Sequence, residues 1–444
     1  HLRDHRIDRM NPILSTPRSG ARNLVRGLAG LFLAICLIPP VLAQDDEGGR
    51  KTKQTVAMSQ KVFEQLTEVQ ELMEAKQYAQ GHQLLREMAQ EEKLSPYERA
   101  QIHNLSGYAF YLEERYDEAI KSYERVLQQP ELPEGLQQST LKTLAQLQFT
   151  VENYDEALAT VRRLIEIVPE PSADVYMLLG QALFQKQDYK GALEPIETAI
   201  SMYSDQGRVP AENWLLLLRV CYYELGDFQS MIGVLEDLIL HYPKDTYVLT
   251  LAGVYSELGD TKKQLALVEA LYDGGLLSNP THIINLANLY LLHETPFKAA
   301  QVIKRGMDEN LVPQDVRNLR LLSQAWYTAR EDEKAIPPLR QAAEMAREGD
   351  LYIRLAQSHI NLEEWAEASE AAETALELGG LDRADQANIM LGMALFNQNK
   401  RSLARQAVER ASRDNRSRRA AQQWIAYGES ELKRKDLMSQ DVAG

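Results

Sequence analysis

Cysteine is almost absent from this chain of 444 residues, which contains only Cys36 and Cys221. Cys36 lies inside an apolar run, residues 28–38, near the start of the chain. If that run is removed with a leader, Cys221 alone remains, and a single cysteine excludes an internal disulfide. Cys221 stands among apolar residues, and we interpret it as a buried, unreactive thiol.

Sequence patterns that carry catalytic or metal-binding chemistry are also missing. There is no H-E-x-x-H motif, no closely spaced cysteine pair, no glycine-rich phosphate loop and no G-x-S-x-G elbow. We therefore predict that the protein is not an enzyme and binds no metal and no cofactor. The histidines after residue 44 are scattered without metal-ligand spacing: His82, His103, His241, His282, His293 and His359.

Positive charge is scarce, and the net charge is −15. Residues 1–43 carry six arginines against two aspartates, so the remaining residues carry −19. A protein with this much negative charge repels polyanions, so nucleic acid is a poor candidate for a binding partner. Residues 400–436 reverse this balance, with eleven Lys or Arg against five Asp or Glu. We interpret that end as a solvated cap, or alternatively as a docking patch for an acidic partner or anionic lipid headgroups.

Stretches in which apolar and polar residues alternate, the pattern typical of β-strands, are rare, and the chain has only 24 glycines. We therefore expect helices throughout the chain. What the sequence has instead is a repeated frame. In one copy, Leu144 precedes the small Ala145, and Ala157, Val161 and Pro169 follow at fixed distances. The frame recurs at intervals of 33–39 residues, aligned on Gly81, Ala119, Ala157, Ala192, Met231, Gln264, Ala299, Ala335, Ala368 and Ala404.

This spacing resembles that of the tetratricopeptide repeat, a helix–turn–helix unit of about 34 residues. Small residues on both helices indicate a close crossing, where a bulky side chain would overpack at about 1–3 kcal/mol. The resemblance covers roughly residues 62–416. It implies an all-α fold, a right-handed α-solenoid of about ten such repeats with a C-terminal capping helix. The small residues of the first helices are Gly107, Ala145, Gly180, Ala252, Ala287, Ala356 and Gly392.

The first 43 residues resemble an export signal that begins at Met10. Arginines precede an apolar run of about 11 residues, too short to span a bilayer, and Val41 and Ala43 suit a cleavage site. The mature protein is expected to begin at Gln44 in the periplasm, with no membrane span after cleavage. The predicted segments are a signal peptide (1–43), a flexible lead-in (44–60), the solenoid (61–416), a capping helix (417–436) and a disordered tail (437–444).

In the family that the chain resembles, the first helices line a concave groove, and certain of their positions face a bound partner. Here amides follow the small positions, and aromatic residues come three residues later. We interpret the amides as ligands of an extended peptide backbone and the aromatics as receptors for its side chains. Alternatively, the aromatics pack between repeats and the amides are plain surface. The predicted partner-binding residues are Tyr111, Gln146, Phe149, Gln181, Phe184, Tyr223, Arg317, Arg320, Gln324, Tyr327 and Gln357.

The family's carboxylate clamp grips a peptide C-terminus with a cation and an asparagine. Lys142 is paired with Gln146 instead of asparagine, which argues against such a clamp. Arg317 and Arg320 are expected to meet an acidic side chain instead.

An exported, non-enzymatic repeat protein is expected to be an interaction scaffold with a protein or peptide partner. The layout of the whole chain resembles periplasmic tetratricopeptide proteins of the TonB–ExbB–ExbD system, which implies an accessory role in energy-coupled uptake, with components of that system as partners. Two alternatives stay open: a scaffold for envelope or exopolysaccharide assembly, and a holdase for outer-membrane precursors.

Overall fold

The computed structural model describes residues 58–442, and every regular element within them is an α-helix. The all-α prediction is thereby confirmed. The predicted signal peptide and most of the lead-in lie outside the described residues, as do residues 443–444. No helix in the described range is both long and apolar enough to cross a membrane. The chain divides into two compact units, residues 1–258 and residues 259–444.

The described part of the first unit holds eleven helices. Its pairs are α1/α2, α3/α4, α5/α6, α7/α8 and α9/α10, and α11 is again a first helix. The bounds of α1 to α11 are Gln60–Glu74, Tyr78–Ala89, Pro96–Leu112, Tyr116–Leu127, Glu134–Thr150, Tyr154–Ile167, Ala173–Gln185, Tyr189–Ser204, Glu212–Leu225, Phe228–His241 and Asp245–Glu257.

The second unit begins with a second helix, α12, and ends with a long helix, α21. Between them lie the pairs α13/α14, α15/α16, α17/α18 and α19/α20. The bounds of α12 to α21 are Thr261–Asp273, Pro280–Leu292, Pro296–Asp308, Val316–Thr328, Asp332–Ala346, Gly349–Asn361, Trp365–Leu378, Ala384–Asn397, Arg401–Ala411 and Arg418–Val442.

The turn inside each pair uses one left-handed residue. Glu114 has a φ of 60°, and the N–H of Arg115 donates to the carbonyl of Phe110 at 2.9 Å. This six-to-one bond closes the end of the first helix, as in a Schellman motif. The same conformation and bond recur at Lys76, Glu152, Gln187 and Gly226 in the first unit and at Glu294, Arg330, Glu363 and Asn399 in the second.

Gly226 and Gly233 lie on the same repeat but should respond oppositely to alanine. Gly226 has a φ of 71° and lies in the turn between α9 and α10. Gly233 lies in the middle of α10, on the face of the helix that is exposed to solvent. A Cβ at either position meets no atom within 4 Å. Gly226→Ala should therefore reduce stability by about 1 kcal/mol through backbone strain alone. Gly233→Ala should raise it by roughly 0.5–1 kcal/mol, because alanine is the better helix former.

Hydrogen exchange of the α10 amides would measure both changes locally. A shift of the two variants in the same direction would contradict the assigned left-handed turn.

The small residues of the first helices face second-helix side chains that lie sixteen positions later. A Cβ at Gly107 would lie 2.8 Å from the ring of Tyr123. A Cβ at Gly180 would lie 3.2 Å from Cδ1 of Ile196 and closer still to Cγ1. Both partners are almost fully buried. The predicted close crossing is confirmed, and each alanine of the aligned frame is buried: Ala119, Ala157, Ala192, Ala299, Ala335, Ala368 and Ala404.

Three positions of the aligned frame hold a residue other than alanine, and these residues differ in burial. Gly81 and Met231 are buried at their crossings, as the alanines are. Gln264, by contrast, is only half-buried, and α12 buries just Val268 and Leu271. A polar residue at the aligned position therefore accompanies a helix with a thin apolar face.

Candidate partner-binding surface

First helices of the first unit lie nearer to one another than its second helices do, and the second unit shows the same at α17 and α19. The appreciable contacts between helices that are not consecutive join α1 to α3, α5 to α7 and α7 to α9 in the first unit, and α17 to α19 in the second. All of these are first helices. The row of helices that packs more closely lies on the inner side of a curved stack, so within each unit the first helices form the inner face.

The aromatic row of the first unit consists of Tyr111, Phe149, Phe184 and Tyr223, one near the end of each of four successive first helices. Each ring packs against a second ring, five residues later, at the start of the next helix. The ring centroids lie 5.5–6.4 Å apart, which is the usual range for aromatic pairs. The partners, which were not among the predicted site residues, are Tyr116, Tyr154, Tyr189 and Phe228. Their signal in the sequence is the recurring spacing of five between two aromatics.

The members of the aromatic row differ in exposure. Phe184 is buried, with 7% of its surface accessible, so it serves chiefly the packing of its own repeat. Tyr111, Phe149 and Tyr223 are half-buried and present one side to solvent. Burial raises the pKa of Tyr111 and of Tyr223, so both hydroxyls stay neutral at physiological pH. Three of the four rings thus combine a structural contact with an accessible apolar surface.

The two predicted amide residues of the first unit, Gln146 and Gln181, differ in solvent exposure. Gln146 is half-buried, while Gln181 is only 5% exposed. Beside them, Nζ of Lys142 lies 3.5 Å from a carboxylate oxygen of Asp174 on the neighbouring first helix. The cation that the carboxylate clamp would need is therefore already paired.

In the second unit, the predicted Gln324 of α15 and the predicted Gln357 of α17 each take part in a separate set of hydrogen bonds. Arg354 Nη1 donates to Oε1 of Gln324 at 3.2 Å, and Nε2 of Gln357 donates to Oδ1 of Asn361 at 2.9 Å. Asn361 in turn donates to Asp332 at 3.1 Å. We define the polar ladder as Gln324, Arg354, Gln357 and Asn361. Arg354 and Asn361 were not among the predicted site residues.

The two predicted arginines of α15 have different surroundings. Arg320 forms an ion pair with Glu348 and has a buried, unpartnered Nε. Arg317 is exposed and has no ion pair among the described residues. Tyr327, one turn beyond Gln324, is half-buried. Arg317 is therefore the cation of this helix that remains accessible to an acidic side chain.

Part of the basic end anchors the last helix. The buried carboxylate of Asp385 accepts hydrogen bonds from Arg383 at 2.7 Å and from Ser417 at 2.5 Å. The hydrogen bonds from Arg383 hold the pKa of Asp385 well below its usual range, and Ser417 and Arg416 act in the same direction. Arg416 also pairs with Asp414 at 2.9 Å.

Apolar contacts complete this anchor. Ala421 and Ile425 of α21 pack on Val408, and the ring of Trp424 lies 5.3 Å from that of Phe396. The cations left for an external ligand are those without an ion pair in the described range, among them the exposed Arg413, Arg418 and Arg419.

The described residues offer few groups that could bind a metal ion or react as a nucleophile. The described residues contain no group of three or more His, Cys, Asp or Glu that could hold a metal ion. Cys221 is fully buried, and burial raises the pKa of its thiol to about 12. It is therefore protonated and unreactive at neutral pH.

Family models described as tetratricopeptide repeat match residues 66–133, 142–207 and 220–245. No curated protein matches the sequence. Similar solved structures include a tetratricopeptide repeat protein from Parabacteroides merdae, 14% identical, which covers 56% of this chain and 93% of its own with a TM-score of 0.34. A MamA fragment from Desulfovibrio magneticus is 17% identical over 41% of this chain and 96% of its own, with a TM-score of 0.34.

A third similar structure is YrrB, described as a tetratricopeptide protein with an unusual peptide-binding site. It is 14% identical and covers 43% of this chain and 91% of its own, with a TM-score of 0.34. The family matches agree with the helix pairs, the recurring turn and the small residues at the crossings. Residues 66–133, 142–207 and 220–245 of this chain are thus tetratricopeptide repeats, units whose family typically consists of non-enzymatic interaction scaffolds.

Proposed function

We propose that the first helices of this scaffold bind an extended segment of a partner protein. The observation that carries the proposal is the half-buried surface of Tyr111, Phe149 and Tyr223, which lie on three of four successive first helices. Aromatic side chains offer a large apolar contact area at a small entropic cost, and a few such residues usually dominate an interface. The partly exposed amide of Gln146 lies one helical turn from Phe149 and can bond the backbone of an extended peptide.

In the second unit, the polar ladder supports the same proposal through different chemistry. Gln324 and Arg354 are exposed and already share a hydrogen bond, so their remaining donors are held in place for a peptide carbonyl or carboxylate. Arg317, two turns earlier on the same helix, supplies an unpaired positive charge. The aromatic row of the first unit is thus suited to apolar side chains, and the polar ladder of the second unit to polar and acidic ones.

We further propose that the protein works in the periplasm as an accessory of a TonB-dependent uptake system. This proposal is supported by the export signal that the sequence of residues 1–43 predicts and by the resemblance in the layout of the whole chain. Crosslinking in intact envelopes, followed by mass spectrometry, tests it directly. Recovery of TonB, ExbB, ExbD or an uptake receptor is the expected result, and partners confined to polysaccharide assembly would contradict it.

The partner found by crosslinking then allows the binding surface to be tested by calorimetry. Alanine at Tyr111, Phe149 or Tyr223 should each weaken binding by about 1–3 kcal/mol, which is roughly five- to a hundred-fold. Gln146→Ala should cost less, because a neutral hydrogen bond contributes about 0.5–1.5 kcal/mol. Each variant is first checked for an unchanged helical spectrum.

Two control sets make the test decisive. Glu236→Ala, on the exposed face of the second helix α10, should leave affinity unchanged. Arg413, Arg418 and Arg419 replaced together by alanine test the basic end, and binding there would weaken steeply with added salt. Full affinity in the triple aromatic variant would exclude the aromatic row as the binding site.

A further inference from the structure

Arg219 occupies a position where seven other repeats carry glycine or alanine. In α9 it directly follows Leu218, as Gly180 follows Leu179 in α7. At that position a Cβ on Gly107 or Gly180 already collides with the second-helix residue sixteen positions later. The equivalent residue opposite Arg219 is Leu235, which is fully buried. The longest side chain of all has therefore replaced the smallest at a helix crossing.

The side chain of Arg219 is largely buried and forms no ion pair with any described residue. The residue is only 9% exposed, and its buried Nε has no hydrogen-bond partner in the described part of the chain. Burial lowers the pKa of Arg219, and Tyr247 opposes this shift. The carboxylate bonded to Tyr247 is that of Glu212, which also accepts a hydrogen bond from Lys244 at 2.5 Å. Glu212 is thus already engaged and forms no ion pair with Arg219.

A buried charge without a partner is unfavourable for folding, because its lost hydration is not replaced. An apolar residue of similar length would satisfy the packing better. Arg219 is therefore expected to destabilise the fold until an anion pairs with its guanidinium. The exposed 9% of the residue is the part that an anion can reach.

We propose that Arg219 is the base of a carboxylate-binding site that receives an acidic group of the bound partner. One guanidinium can donate two parallel hydrogen bonds to one carboxylate, and the two groups carry equal and opposite charges. Inorganic phosphate fits less well, since the site offers one cation and the neighbouring Lys244 is neutralised by Glu212. The proposal rests on the proposed function for the source of the carboxylate, which is either an acidic side chain or a peptide C-terminus.

The test uses small probes, so its outcome is independent of whether the aromatic row binds a partner. Wild-type protein and Arg219→Met are melted in N-acetylglutamic acid α-amide, N-acetylalanine, N-acetylglutamine amide or inorganic phosphate, at constant ionic strength. The first probe represents a side-chain carboxylate and the second a C-terminal one. The glutamine amide is the neutral control of the same shape. Arg162→Met removes an exposed arginine of α6 and serves as the matched control variant.

Without a probe, Arg219→Met should melt about 2–5 °C above the wild type, because an unpaired buried charge has been removed. Carboxylate probes should raise the wild-type melting temperature saturably by about 1–4 °C and leave Arg219→Met unchanged. The larger of the two responses identifies the source of the carboxylate. Arg219→Lys, which keeps a charge but loses the bidentate geometry, should respond more weakly than the wild type.

Three results would overturn the proposal. The first is an equal response of the wild type and Arg219→Met, the second is no difference between the glutamate and glutamine probes, and the third is a response to phosphate alone. If Arg219→Met does not fold, Arg219→Lys and the wild type still decide the question, because an equal response of these two would exclude a bidentate site.

Discussion

Replacing Phe184 by alanine is expected to lower the free energy of unfolding of its repeat by about 3–5 kcal/mol. The ring is 7% exposed and lies edge to face with Tyr189, with the centroids 5.5 Å apart. Its removal would leave a cavity between the end of α7 and the start of α8. The loss should appear first as faster hydrogen exchange in these two helices, because a repeat array is stabilised mainly by local contacts.

Phe149→Ala and Tyr223→Ala are the matched comparisons. Both rings occupy the same position in their repeats and pack on an equivalent aromatic, but both are half-buried, so each truncation should destabilise less than Phe184→Ala. Unchanged exchange in α7 and α8 of Phe184→Ala would contradict the structural role. The distinction matters for function, because an affinity lost in Phe184→Ala would report unfolding of the repeat as well as a lost contact.

Replacing Gly180 by leucine is expected to destabilise the protein by at least about 3 kcal/mol. Even the Cβ of an added side chain would lie 3.2 Å from Cδ1 of Ile196 and nearer to its Cγ1. Ile196 is fully buried and cannot move aside without displacing α8. Gly180→Ala, which adds one methyl group, should fall between the wild type and the leucine variant.

A double-mutant cycle isolates this clash from other effects. Ile196→Ala removes the atoms that the new side chain meets, so Gly180→Ala should do little harm in that background, and coupling between the two changes is the expected result. Gly233→Leu is the control, because it adds the same side chain to an exposed helix position with no atom within 4 Å. Additive effects of Gly180→Ala and Ile196→Ala would contradict a direct crossing contact.

The crossings could be predicted from sequence because their cause is local and repeated. A small residue such as Gly180 is needed wherever two helices approach closely, and the spacing of these residues recurs along the sequence. Glycine marks the left-handed turn in the sequence only where it occupies the position, as at Gly226. At Glu114 and its equivalents the six-to-one hydrogen bond stabilises the same conformation without glycine, so no residue type marks it.

The accessibility of the predicted site residues could not be read from the repeat frame. Phe149 and Phe184 occupy equivalent positions, yet one is half-buried and the other is buried. Exposure depends on the size of neighbours in the adjoining repeats, which the frame does not specify. The predicted amides show the same divergence, since Gln181 is buried and Gln324 is exposed.

The sequence by itself determined the fold class, the helix pairs and the positions of close packing, because these follow from residues within one repeat. The tertiary structure decided which charges are available. Lys142 and Arg320 form ion pairs with Asp174 and Glu348, each some 30 residues away in the sequence, whereas Arg219 is buried and has no ion pair among the described residues. Electrostatic energy depends on distance and burial in three dimensions, and residues that are far apart in sequence set both.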